Sequence, residues 1–302
     1  MDRRRYLRIG APIAWGVASV LLIVFWGIPT KHDLLFLWLG VGMAAFSLEV
    51  SRVVRDWLPL VGIIFAYDVM RGAADGLGFS TRETPQIRIE EALFGKPVPT
   101  VRLQEQFWHG ANHLRWWDYV TWFLHLTHFF ATFIALAVIW VLARDRFHRY
   151  AAMVCALALT GFVTYVVYPA APPWMAARHH NLGQSNRMIG LVWEHLPFTN
   201  GGAVFEHGTG YANDVAAMPS LHAAFALLFT LYLWRLVPRY VRPVLAVYPA
   251  AMALALVYSG EHYVVDCLAG WLYAIATFVA VNFVFDRRAA RAQARFEPVL
   301  AD

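Results

Sequence analysis

The 302-residue sequence is poor in charge and nearly devoid of cysteine. Asp, Glu, Lys and Arg make up 15% of it against 59% hydrophobic residues, and the mean hydropathy of +0.48 excludes an ordinary soluble domain. Its two cysteines, Cys155 and Cys267, both fall inside apolar runs. That placement excludes a disulfide framework and a thiolate zinc site, and reads as two small buried hydrophobes. Internal repeats, low-complexity tracts and an interdomain linker are also missing, so one membrane domain over residues 1–302 is expected.

What the chain does have is long apolar runs. A spanning helix needs about 20 mainly apolar residues, because nothing else in the bilayer core satisfies backbone polar groups. Eight runs qualify as candidates: Pro12–Ile28, Leu34–Val50, the shorter Leu58–Met70, Trp116–Leu142, Tyr150–Tyr168, Val215–Leu236, Val244–Tyr258 and Tyr263–Phe285. The predicted fold class is all-α, a polytopic transmembrane helix bundle. Arg3, Arg4 and Arg5 precede the first run as they would in a signal peptide, but Pro29, Thr30 and Lys31 form no small-residue cleavage site, so the run reads as a retained anchor.

Basic residues prefer the cytoplasmic side of short loops. With the N-terminus inside, that side receives 16 of the 25 Lys and Arg residues: Arg3, Arg4, Arg5 and Arg8; Arg52 and Arg55; Arg144, Arg146 and Arg149; Arg235, Arg239 and Arg242; Arg287, Arg288, Arg291 and Arg295. Both termini are then cytoplasmic, and the long connections Arg71–Arg115 and Pro169–Asp214 are extracytoplasmic. The net charge of +5 gathers on the inner face, where anionic lipid headgroups attract it, and nucleic acid is not implied. In the first long loop, Ile87, Ile89, Ala92, Leu93 and Phe94 form an apolar strip suited to the membrane interface, and Trp108, Trp116 and Trp117 suit a headgroup-level belt. The second loop opens with Tyr168-Pro-Ala-Ala-Pro-Pro-Trp174, an extended turn by virtue of its prolines, and fits either a roof over a cavity or plain surface.

Two segments carry candidate chemistry. In Ala217-Met218-Pro219-Ser220-Leu221-His222, polar Ser220 and His222 stand at the start of an apolar span. Pro219 suits a helix's first turn, and a helix N-terminus suits a phosphate; the bland alternative is a serine cap and an interfacial histidine. In Gly260-Glu261-His262-Tyr263-Val264-Val265-Asp266, the His262–Asp266 spacing puts both on one helical face, where a carboxylate reaches one imidazole nitrogen and leaves the other as a nucleophile. An ionisable Asp266 inside a span needs a partner or a task. His222, His262 and Asp266 are also zinc-type ligands, yet no HExxH or CxxC spacing accompanies them, so no metal and no other cofactor is expected. His125 and His128 share a face of the fourth span, His109 and His113 read as surface residues, and Glu261 points away from the nucleophile on an ideal helix.

These motifs resemble the type 2 phosphatidic acid phosphatase superfamily. Pro219-Ser220-Leu221-His222 looks like its central Pro-Ser-Gly-His, and His262 with Asp266 matches its terminal His-x-x-x-Asp. The resemblance implies a six-helix core, here within about residues 116–285, with His262 attacking phosphorus, Asp266 supporting it, His222 protonating the leaving oxygen and Ser220 holding a phosphate oxygen. The family's lysine and Arg-Pro motif has no counterpart, and the arginine expected six positions before the nucleophile is Leu256. Together with Tyr67-Asp68-x-x-Arg71-Gly, Leu93-Phe94-Gly95 and the proline-rich segment, the pattern is similar to the inositol phosphorylceramide synthase branch. That branch moves inositol phosphate from phosphatidylinositol to a lipid alcohol, which implies a phosphohistidine intermediate, a phospholipid donor and an alcohol acceptor. Arg71 and Arg178 are the candidate replacement cations, and His128 a headgroup contact. A lipid phosphatase using water, and a non-enzymatic lipid-binding or transport protein, are the competing readings.

Overall fold

The computed structural model describes residues 3–26, 32–47, 50–73, 80–196 and 214–296. These form twelve α-helices: α1 (Arg3–Trp26), α2 (His32–Ser47), α3 (Val50–Ala73), α4 (Thr84–Phe94), α5 (Pro99–Phe107), α6 (Trp116–Leu142), α7 (Arg144–Val167), α8 (Pro173–Arg178), α9 (Met188–Glu194), α10 (Leu221–Leu233), α11 (Arg242–Tyr258) and α12 (Val264–Phe296). Three of them, α6, α7 and α12, are long and apolar enough to cross a bilayer. Apolar side chains stand on their outer sides, among them Phe123, Val163, Leu272 and Val279, each more than half exposed. Such surfaces are stable only against lipid, and the chain is an integral membrane protein.

Each expected span coincides with a helix, but not always with its predicted length. Val215–Leu236 contracts to the 13 residues of α10. The reason lies before the helix: Ala216 forms a bridge with Ala170, with Val215 O accepting from Ala170 N at 2.7 Å and Ala217 N donating to Ala170 O at 3.1 Å. Backbone groups used in that pairing cannot also serve a helix. A third extended residue, Arg82, bridges to Ala170 from the other side, so three connections are stitched together at this end of the bundle.

Helix α10 is the hub, packing on α6, α7, α11 and α12. Its small residues Ala223, Ala224 and Ala226 are buried and permit close helix approach. The tightest point is Gly270 of α12, where an added Cβ would lie 2.2 Å from the carbonyl oxygen of Ser220. The first long connection is built into this end through α4. Gln86, Ile87 and Glu90 of α4 are buried, Ile87 against Tyr263 and Val265, while Ile89, Leu93 and Phe94 remain exposed. Thus the expected apolar strip is split, with Ile87 turned inward.

At the opposite end lie arginines expected on the inner face. Arg144 Nε and Trp140 Nε1 donate to the buried carboxylate of Asp56 at 2.8 and 2.9 Å, and Arg149 pairs with Asp286 at 2.8 Å. The arginine pairs with Asp56 and Asp286 therefore lie at the end of the bundle away from the histidines.

The glycine contact yields a comparison. Gly270→Ala forces backbone against backbone and should cost at least about 2 kcal/mol, as overpacked sites do, lowering thermal stability and activity together. Gly161→Ala meets only the end of the Leu221 side chain, which can shift. Melting of the two purified variants checks this, with Gly161→Ala the milder by a clear margin.

Candidate active site

The turn between α11 and α12 fixes His262. Leu256 O accepts from both Glu261 N and His262 N, at 3.1 and 3.2 Å. Gly260 has φ +79°, and a Cβ there would sit 2.5 Å from Asn186 O, so both conformation and space demand glycine. Gln104 of α5 locks the turn from above: its amide nitrogen donates to Tyr258 O at 2.8 Å and Asn186 O at 3.0 Å, and its oxygen accepts from Asn186 N at 2.8 Å. Trp174 N donates to Gly260 O at 3.2 Å. The proline-rich segment is therefore interior framework: Pro169 through Trp174 are all buried.

His262 lies in this turn, ahead of α12, so it shares no helical face with Asp266. Its Nδ1 is 2.9 Å from Ala217 O and 3.8 Å from Asp266 Oδ2. The carbonyl takes the hydrogen bond, which assigns the proton to Nδ1 and the lone pair to Nε2; the carboxylate contributes charge at ion-pair distance. Asp266 itself, fully buried, accepts from Tyr263 N at 2.9 Å, as the third residue of a helix does in a capping box. The sequence expectation of a direct carboxylate–imidazole bond is thus corrected: a backbone carbonyl 45 positions away orients the ring.

His222, in the first turn of α10, faces that ring with centroids 5.5 Å apart. On its other side stand His128 and His125 of α6, at 4.0 and 4.8 Å. Sequence reading included His128 and left His125 without a definite role; the structure brings both to His222. Ser220 is fully buried between the histidine-bearing segments. Its hydroxyl accepts from Ala223 N at 3.3 Å and caps α10, and its amide donates to Asp266 O at 2.9 Å.

The candidate cations separate. Arg71 falls in α3, but its side chain lies outside the described residues. Arg178 is exposed, its guanidinium 4.8 Å from the centre of the Trp174 ring. Arg187, which sequence reasoning passed over, stands over the same ring at 4.8 Å and donates to Glu261 at 3.0 Å, one residue from His262. Asp214 Oδ1 is 3.6 Å from its Nη1. Burial works against its charge, but Glu261 more than offsets this and holds the guanidinium above its usual range. Leu256 explains the vacancy in the motif: it is fully buried among Ala223, Ala226, Met252 and Cys267, where a guanidinium would have no partner. No local signal marks Arg187, because its position depends on Met188 N meeting Ser259 O across the turn. Among the described residues no three His, Cys, Asp or Glu side chains converge as metal ligands.

Comparison with known proteins adds ancestry to this geometry. A phosphoinositol dihydroceramide synthase of Bacteroides thetaiotaomicron is 25% identical over 288 residues, covering 85% of this chain and 81% of that one. An inositol phosphorylceramide synthase of Candida albicans is 24% identical over 56% of this chain and 36% of its own length. The catalytic subunit of the Saccharomyces cerevisiae inositol phosphorylceramide synthase is 25% identical over 53% of this chain and 41% of its own. No solved structure matches. The model of the PAP2 superfamily matches residues 88–280, a stretch that contains all four clustered histidines, Asp266 and Arg187, and the chain belongs to that superfamily.

Proposed function

We propose that this membrane enzyme transfers a phosphate-linked headgroup, of the inositol phosphate kind, from a phospholipid to a lipid alcohol through a phosphohistidine on His262. The observation that carries the reading is the pair of imidazoles 5.5 Å apart, one with Nδ1 tied to a carbonyl and Nε2 left for attack. The names of the relatives support the substrate class.

In the first half-reaction, Nε2 of His262 attacks the diester phosphorus. A P–N bond forms, the P–O bond to diacylglycerol breaks, and His222, as imidazolium, gives its proton to the departing oxygen. The phosphoimidazole is cationic until it collapses, and the Asp266 carboxylate at 3.8 Å stabilises that charge. In the second half-reaction neutral His222 takes the proton of the acceptor alcohol, whose oxygen attacks phosphorus and releases His262. Phosphoryl transfer depends on positioning and charge neutralisation, and Arg187 is the cation we assign to the phosphate. Glu261 and Asp214 hold it until an anion arrives. Arg178 serves as an outer contact, with Arg71 as a further candidate; His128 and His125 form the wall behind His222, and Ser220 sets the helix start whose amides suit a phosphate oxygen. With the arginine-rich end in the cytoplasm, the reaction runs on the extracytoplasmic side.

Labelled phosphatidylinositol and a ceramide-type acceptor should yield a new phosphodiester lipid and diacylglycerol. Inorganic phosphate released from a lipid monophosphate, with no transfer from a diester, would make the enzyme a phosphatase instead. His262→Ala should abolish product, and His222→Ala should slow transfer by roughly 10²–10⁴-fold, the range for a lost general acid–base.

The two arginines divide by the same assay. Arg187→Gln should lower kcat/KM by roughly 10²–10³-fold, as loss of a transition-state donor does. For Arg178→Gln a change of only about twofold is expected, since an exposed charge contributes little. Equal effects would remove Arg187 from its assigned role.

A further inference from the structure

Two carboxylates, not one, meet the beginning of α12. Asp266 accepts from Tyr263 N, and Glu90, reaching across from α4, accepts from Val265 N at 2.9 Å through Oε1. Both side chains are fully buried. Their surroundings differ. Asp266, whose Oδ1 also lacks a hydrogen-bond partner among the described residues, has the His262 ring beside it at 3.8 Å. Glu90 has no Lys, Arg or His partner among the described residues, and its Oε2 has no hydrogen-bond partner there either. Beside it in the fold are Asp266 of α12 and Tyr263 just ahead of that helix, with Gln86 four residues earlier on α4 and Glu83 at the N-cap of α4. Several cations of this end have other partners: His179 has Glu83 at 2.8 Å, Arg102 the carbonyls of Phe94 and Pro97, Lys96 has Glu91 at 3.2 Å, and Arg178 stands over Trp174.

Two buried anions at one helix start, with a single imidazole to balance them, repel each other, and the less supported one keeps its proton. From this geometry we propose that Glu90 is a positioning residue that works as a neutral acid, pinning the first turn of α12 while leaving Asp266 the only charge behind the nucleophile. Burial first, and the charge of Asp266 as well, push its carboxyl from the ordinary 4.5 up to about 7. The inference rests on the proposed attack by His262, and extends it to the control of charge at that site.

The sign of the pH effect follows. Between about 4.5 and 7 the folded chain holds a proton that the unfolded chain has lost, so stability drains away as pH rises through that interval and stays lower beyond it. Glu90→Gln keeps the acceptor for Val265 N and cannot ionise. Its melting temperature should therefore fall less than that of the native protein between about pH 5 and pH 8. In the transfer assay Glu90→Gln should match the native rate within about twofold near pH 6 and exceed it near pH 8, where native Glu90 is ionised. Glu90→Ala, lacking the acceptor, should lose kcat with little change in the KM for donor, and Glu90→Gln should restore it. A Glu90→Gln variant inactive near pH 6 would overturn the proposal, as would rates that stay parallel to native across the range while the melting curves diverge. Melting curves that run parallel would overturn the assigned neutral state. If the native protein transfers nothing, the phosphotransferase reading fails, whereas the melting comparison still decides the charge of Glu90.

Discussion

The site depends on one backbone contact, the start of α10 laid against the start of α12. Ser220 N donates to Asp266 O at 2.9 Å, and Gly270 leaves room for Ser220 O where any side chain would collide. This approach brings His222 within 5.5 Å of His262 although 40 positions separate them in the chain. Everything else at this end supports that contact. Tyr165 OH donates to Pro219 O at 2.7 Å from α7, and residues 215–217 place Ala217 O against the His262 ring. The proline-rich segment acts through the same pairing, since Ala170 is the residue that holds 215–217 in place.

Helices and the histidine pair were legible in the sequence because each leaves a local mark. A long apolar run has few structures open to it in lipid, and a histidine or aspartate at the edge of such a run stands out. The rest was illegible for a common reason: it is made of side chains meeting backbone groups far away. Nothing near His262 announces that Ala217 O will take its Nδ1 proton. Likewise Asp266 at helical spacing suggests a bond to the imidazole, and only the turn geometry reassigns it to the Tyr263 amide. Arg187 looked like one more charge in a polar loop until the turn at Gly260 brought Glu261 beside it. Glu90 sits in an amphipathic stretch whose buried side cannot be chosen without knowing that α12 begins against it.

Charge is distributed so that the two ends of the bundle differ in kind. At one end arginines pair with Asp56 and Asp286 and satisfy the bundle's inner polar groups. At the other, imidazoles cluster, and pairs of charged and polar groups stand beside them: Arg187 with Glu261, Glu83 with His179 and Asn181. A neutral, buried, hydrogen-bonded setting is what a nucleophilic imidazole requires, because a nearby unpaired carboxylate would favour its protonated form. The departure of Leu256 from the superfamily's usual arginine fits this arrangement. In the proposed mechanism the cation, Arg187, comes from a connection beside the site instead of from a helix inside the core.

The most direct test of the account is chemical. Rapid quenching of the native protein with donor labelled at phosphorus, in the absence of acceptor, should leave an acid-labile, base-stable label on the peptide containing His262, and the label should discharge when the alcohol is added. Label on any other residue, or product formed through a verified single displacement with no labelled protein, would contradict a mechanism in which His262 carries the phosphoryl group past His222.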